Sequence, residues 1–145
     1  MCPLGFRFKL CAVLRLALFG LSACGRPSGA PHPLTCHTAY RSNVTVAIQR
    51  EDTVNLSELA ATPVTLNYAD LTFHAQYFGE PPFAIPALDL FVTLPNQEGR
   101  LMSVLYQFPR ATPANQFIDG HGFTGLHYVY HPISGAELQF WCVAD

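Results

Sequence analysis

From Cys36 to Asp145, alternation of apolar and polar residues dominates, and no 3.6-residue period survives for more than two turns. That constrains the chain more than any other feature, because a two-residue period fits only a strand with one buried face. Val44, Val46 and Ile48 predict a half-buried strand, followed by a turn at Glu51-Asp52 and a second strand or short 3₁₀ segment from Val54 and Leu56 to Leu59. Val64, Leu66 and Tyr68 share one phase, and Leu71, Phe73, Ala75 and Tyr77 resume it after Ala69-Asp70, predicting a bulged long strand or a tight hairpin. Three prolines in 79–86 require a loop or an edge, since proline cannot donate to a central ladder. Leu88 to Leu94 and Met102 to Phe108 read as further strands, and Thr124–His131 and Ala136–Val143 as the last two around a hairpin turn at Pro132-Ile133-Ser134-Gly135.

Seven or so short strands between Pro/Gly turns predict an all-β domain, an antiparallel β-sandwich of immunoglobulin-like or similar topology, with a small β-barrel as the alternative. Half of the residues are hydrophobic and 12% are charged, enough for one packed core of about 110 residues and no second one. Cys36 and Cys142 bracket the domain. In an oxidising compartment such a pair predicts a disulfide joining the first and last strands. The spacing of Trp141, next to the last cysteine, is not the immunoglobulin pattern.

Residues 1–23 have the three parts of an export signal: basic Arg7 and Lys9, an apolar run from Leu10 to Leu21, and small residues before Cys24. A membrane span needs about 20 uninterrupted apolar residues, and Arg15 interrupts this run. Leu21-Ser22-Ala23-Cys24 resembles the lipobox of bacterial lipoprotein precursors. The resemblance covers the first 24 residues and implies cleavage after Ala23, a thioether-linked diacylglycerol on Cys24 and usually a third acyl chain, palmitate or similar, on the new amine. The expectation is thus a domain outside the cytoplasm, held on a membrane of the bacterial cell envelope, the outer one first. Two or three acyl chains hold a protein on a bilayer where one binds reversibly. The alternatives are a secreted domain without the lipid, its Cys24 a plain thiol, and a retained signal anchor. Residues 24–35, with their prolines and glycines, read as an extended tether, leaving 36–145 as the folded domain.

With Arg7, Lys9 and Arg15 removed, five arginines face ten acidic residues. A chain so acidic, without clustered Lys/Arg, has nothing to displace counterions from phosphates, so no nucleic-acid partner is expected. Among chemistry-bearing residues, His127 and His131 share a strand face with Val129, His121 precedes them, and His74 or Glu137 could join from neighbouring strands. A copper or zinc site using His121, His127 and His131 is a second functional reading, although residues four apart on a strand stand about 13 Å apart. The same pattern puts the two imidazoles in solvent with Tyr128 and Tyr130 inside. Asp119-Gly120-His121-Gly122 could orient an imidazole for base work, which makes an envelope hydrolase the third reading, but the segment also suits a tight turn and lacks a nucleophile. No cofactor is expected. Phe78, Phe83, Phe91 and Trp141 fall out of phase with the core or in loops, and gathered on one surface they would suit a glycan or protein partner. The main expectation is a non-catalytic, lipid-anchored envelope protein that acts through binding or structure.

Overall fold

The computed structural model describes residues 33–57, 62–78, 85–108 and 113–145. The leader, Cys24, most of the tether, Leu59 and Phe83 lie outside them. The described strands are β1 Leu34–Arg41, β2 Arg50–Leu56, β3 Val64–Asn67, β4 Thr72–Phe78, β5 Ala87–Thr93, β6 Arg100–Gln107, β7 His127–Tyr130 and β8 Glu137–Ala144, with one 3₁₀ turn at Ile118–Gly120. They form two antiparallel sheets of four, ordered β2-β1-β8-β7 (sheet A) and β3-β4-β5-β6 (sheet B), and neither sheet closes into a barrel. The fold is a β-sandwich.

Alternation builds the interface between the sheets. Phe73, Ala75 and Tyr77 of β4 and Leu88, Leu90 and Val92 of β5 meet Leu138, Phe140 and Cys142 of β8 in one buried cluster. Phe73 and Phe140 touch across it with ring centroids 5.1 Å apart. Val92 lies opposite Met102, but Thr93 lies opposite Arg100, so β6 carries an extra residue, Leu101, at a bulge.

β1 and β8 run side by side in the middle of sheet A, with Cys36 opposite Cys142. The two are disulfide-bonded, closing a separation of 106 residues, and neither is exposed. The clasp lies within one sheet, whereas the immunoglobulin pattern ties one sheet to the other. β1 begins at Leu34, so the folded domain starts two residues before the expected boundary at 36. The amide of Asp145 donates to the carbonyl of Pro33 at 3.2 Å, which brings the end of the tether and the last residue together. The turns of the β1–β2 and β7–β8 hairpins lie at the opposite end of sheet A, because Arg41 pairs with Glu137.

Buried and half-buried polar groups are joined to one another, Thr38, Asp52 and Tyr68 on the inner side of sheet A and Glu137 with Arg41 on its outer face. Tyr68, in the turn after β3, hydrogen-bonds Thr38 at 2.6 Å and donates to Asp52 at 2.9 Å, and Asp52 is ion-paired with Arg50 at 2.7 Å. Burial, with help from Asp52, pushes the Tyr68 hydroxyl up to about 12, so it stays a donor. Glu137 is buried and paired with Arg41 at 2.8 Å. Burial alone would raise its carboxyl, but hydrogen bonds from Arg41, Gln139 and Tyr130 outweigh that and hold it below the ordinary carboxylate range.

Three local expectations are corrected. Val44, Val46 and Ile48 belong to the exposed connection between β1 and β2, because no strand among the described residues pairs with them. Glu51-Asp52 is strand, paired with Ala39 and Thr38. In β7 the face is reversed: Val129 is buried, while Tyr128 and Tyr130 are 48% and 52% exposed.

Candidate functional site

Outward-facing residues of β1 and β8 meet in register, and His37 lies opposite Trp141. Their rings stack, with centroids 5.2 Å apart and planes at 22°. His121 approaches Trp141 from the preceding loop, edge to face, at 5.3 Å. Thr53 hydrogen-bonds Nδ1 of His37 at 3.3 Å, and the Thr35 hydroxyl donates to Asp145 at 2.7 Å. The result is a half-buried tryptophan flanked by two imidazoles and bordered by hydroxyl, amide and carboxylate groups on the outer face of sheet A.

The loop that delivers His121 takes the place of a missing strand. β7 pairs with residues 137–140 of β8 and stops there. Beyond it, the Asn115 side chain both donates to the carbonyl of Ala144, at 2.8 Å, and accepts from its amide, at 2.9 Å. The Cys142 amide donates to Thr124 Oγ1 at 2.8 Å, and the Phe123 amide donates to the Cys142 carbonyl at 3.1 Å. The segment 115–124 therefore satisfies the exposed half of the β8 edge through backbone and side-chain groups together. Asp119, Gly120 and Gly122 all have positive φ, as expected for a tight-turn segment.

The sequence-derived histidines fall in separate places. His127 turns inward, stacks on Phe140 at 5.0 Å and lies 2.8 Å from the Tyr106 hydroxyl through Nε2. Because that hydroxyl donates to the Thr124 carbonyl at 3.1 Å, the imidazole Nε2–H is the donor to Tyr106. Burial lowers the His127 pKa, opposed by the Thr124 carbonyl. His131 lies past the end of β7, and its Nδ1 accepts the amides of Ile133 and Ser134 at 3.2 and 2.9 Å, which caps the hairpin turn. His121 sits on Trp141. Among the described residues no group of three or more His, Cys, Asp or Glu is close enough to hold a metal ion. No hydrogen bond joins Asp119 to His121 among the described residues, and the Thr124 hydroxyl is used on the Cys142 amide and the Gly125 carbonyl.

Sheet B carries a second polar face, built around the out-of-phase Phe91, whose partners His74 and Arg100 the sequence did not connect to it. Phe91 lies between His74, stacked at 4.4 Å and 8°, and the Arg100 guanidinium, 3.8 Å from its ring centroid. Arg100 is ion-paired with Asp89 at 3.0 Å and donates to Ser103 at 2.8 Å. His74 hydrogen-bonds Thr65 through Nδ1 and Thr93 through Nε2. The bulge places Arg100 beside Thr93 and so beside Phe91, and single-sequence alternation gives no sign of it. Phe78 and Phe91 thus face outward from sheet B and Trp141 from sheet A, so these three, the described members of the aromatic set, do not gather on one surface.

Both partly buried imidazoles, His127 inside the sandwich and His74 on the outer face of sheet B, respond to pH in the same direction. Burial lowers the His74 pKa, with Arg100 adding to it, as burial lowers that of His127. The unfolded chain therefore takes up protons near its ordinary value of 6.5 while the folded chain stays neutral. Stability should be complete above about pH 6.5 and fall as pH drops through that value toward the lower folded values. Urea midpoints between pH 7.5 and 5 should show this slope, and His74→Gln with His127→Gln should flatten it. A slope unchanged in the double variant would disprove it.

No protein-family model matches the chain, and neither a curated protein nor a solved structure matches it.

Proposed function

We propose that this chain is an exported protein held on a membrane of the bacterial cell envelope by lipid on Cys24, and that its β-sandwich acts by binding rather than by catalysis. The observation that carries the reading is Leu21-Ser22-Ala23-Cys24, a sulfur in the setting that lipoprotein processing requires, ten residues ahead of β1. The disulfide-closed domain supports it, since such clasps persist outside the cytosol. As the extended tether expected from its prolines and glycines, the stretch 24–33 would span about 30 Å, enough to hold the domain clear of lipid headgroups. The hairpin end of sheet A then points away from the tether.

The binding face in this reading is the outer surface of sheet A around Trp141, His37 and His121. It combines a partly exposed aromatic group with hydroxyl and amide groups, the chemistry that a glycan or a polar protein surface engages. The three imidazoles His121, His127 and His131 are each used separately, so nothing in their geometry favours the metal reading.

The anchor is tested by feeding an alkyne fatty acid to cells making the full chain and detecting label on the purified protein. Wild type should be labelled and remain with membranes, and Cys24→Ala should be unlabelled and released. Unlabelled wild type refutes the anchor. The face is tested separately, because Trp141 is the only tryptophan and its fluorescence reports directly on the site. Envelope glycan fragments or an extracted partner should shift that emission, and His37→Ala should weaken the response. Emission unmoved by every envelope fraction refutes the face without touching the anchor.

A further inference from the structure

We propose that β6 is the edge through which two copies of this chain pair, antiparallel and centred on Ser103, into a continuous eight-stranded sheet. An outer strand presents a row of unpaired N–H and C=O groups, and proteins usually blunt it with shortness, charge or proline. Three of the four outer strands here are blunted. β3 and β7 have four residues each, and β2 carries Arg50, Glu51 and Asp52. β6 is eight residues long, without proline, and uncharged after Arg100. Arg100 gives no protection, because its guanidinium is drawn back over Phe91 and held by Asp89.

What such an edge takes up is another extended strand, since only a strand matches its backbone groups. The side chains specify which strand. On the outward face β6 presents Leu101, Ser103 and Leu105, the two leucines 39% and 53% exposed. This pattern reads the same in both directions about Ser103. Two-fold antiparallel pairing centred there sets Leu101 opposite the partner copy's Leu105 twice, and Met102 opposite its Val104 twice. Arg100 falls opposite a tyrosine, so no like charges meet. A self-complementary patch of this kind is what a closed two-fold interface requires. The bulge opposite Thr93 ends the flat run at Leu101, which limits the ladder to Leu101–Leu105 of each copy. The pairing stands whether or not Cys24 is acylated.

The register makes the test specific. Residues directly opposite on antiparallel strands have Cα atoms about 4.5–5.5 Å apart, within the range a disulfide spans. Ser103→Cys in the full exported chain should therefore give a disulfide-linked dimer on non-reducing electrophoresis. Leu101→Cys and Leu105→Cys should each stay monomeric alone and cross-link when co-expressed. Adding Leu105→Lys to Ser103→Cys places a charge at the interface and should cut the dimer by about tenfold or more, with the thermal midpoint of the domain retained. Failure of Ser103→Cys to cross-link in folded protein overturns the proposal. So does equal cross-linking from Ser134→Cys, an exposed site on a hairpin turn, because that reports random collision.

Discussion

Gly122→Ala should destabilise the domain by about 3 kcal/mol, a loss that lowers the midpoint of a domain this size by roughly 12 °C or more. Two costs combine. The residue has φ +63°, a left-handed conformation that a side chain makes unfavourable by about 1 kcal/mol or more. The larger cost is steric: a Cβ there would lie 2.0 Å from the Cys142 carbonyl oxygen and 2.8 Å from Val143 Cα. Those atoms are backbone of a central strand and cannot give way, so the loop must lift off. Lifting it breaks the Phe123–Cys142 hydrogen bond, exposes buried Phe123 and removes His121 from Trp141.

Gly120→Ala is the matched control. Gly120 also has positive φ, +79°, but nothing lies within 4 Å of an added Cβ, so only the conformational cost remains, about 1 kcal/mol. Thermal unfolding of both variants separates the explanations, and Trp141 emission should change in the first and not in the second. Equal losses would show that the close approach to Cys142 contributes nothing.

That glycine also marks where sequence reading reached its limit. Asp119-Gly120-His121-Gly122 was legible as a turn, yet which glycine bears on a neighbouring strand depends on a partner about 20 residues away. The sandwich itself was legible because β4, β5 and β8 place large apolar residues at every second position, a pattern with one interpretation. β1 is harder to read, since its inward position 38 is a threonine, made tolerable there by the Tyr68 hydroxyl 30 residues later. Val44, Val46 and Ile48 show the converse: alternation without a neighbouring strand does not make a strand. In β7 both alternating sets were plausible cores, two tyrosines against a histidine and a valine. Register decided it, because His127 and Val129 lie opposite Phe140 and Leu138, whose own inward direction is fixed by the disulfide between Cys142 and Cys36. On the outer face of sheet B the outward phase of Phe78 and Phe91 was legible, but the contact of Arg100 with Phe91 was not, since it depends on a one-residue bulge.

Replacing both cysteines with alanine should have the largest effect of any change considered, a loss of about 3–5 kcal/mol. In the chain-entropy account, closing a loop of about 100 residues removes up to about 4.7 kcal/mol of conformational freedom from the unfolded state. The 106-residue separation of Cys36 and Cys142 is of that length. Alanine is the informative substitute, because both positions are fully buried in the sheet interface and a serine hydroxyl would add the cost of an unpaired polar group. Against a total stability of about 5–15 kcal/mol, typical of a domain, the reduced protein would be marginal. Urea unfolding of wild type should shift to lower midpoint with dithiothreitol and coincide with the double variant. In native buffer, reduction should be slow and should keep pace with unfolding, since neither sulfur of the clasp is exposed to the reductant until β1 and β8 separate. A double variant within about 1 kcal/mol of wild type would mean that the apolar contacts of Phe73, Phe140 and their neighbours hold the sandwich without the clasp. Fast reduction of the folded protein would mean instead that the β1–β8 pair opens locally, and the His37–Trp141 face would then open with it.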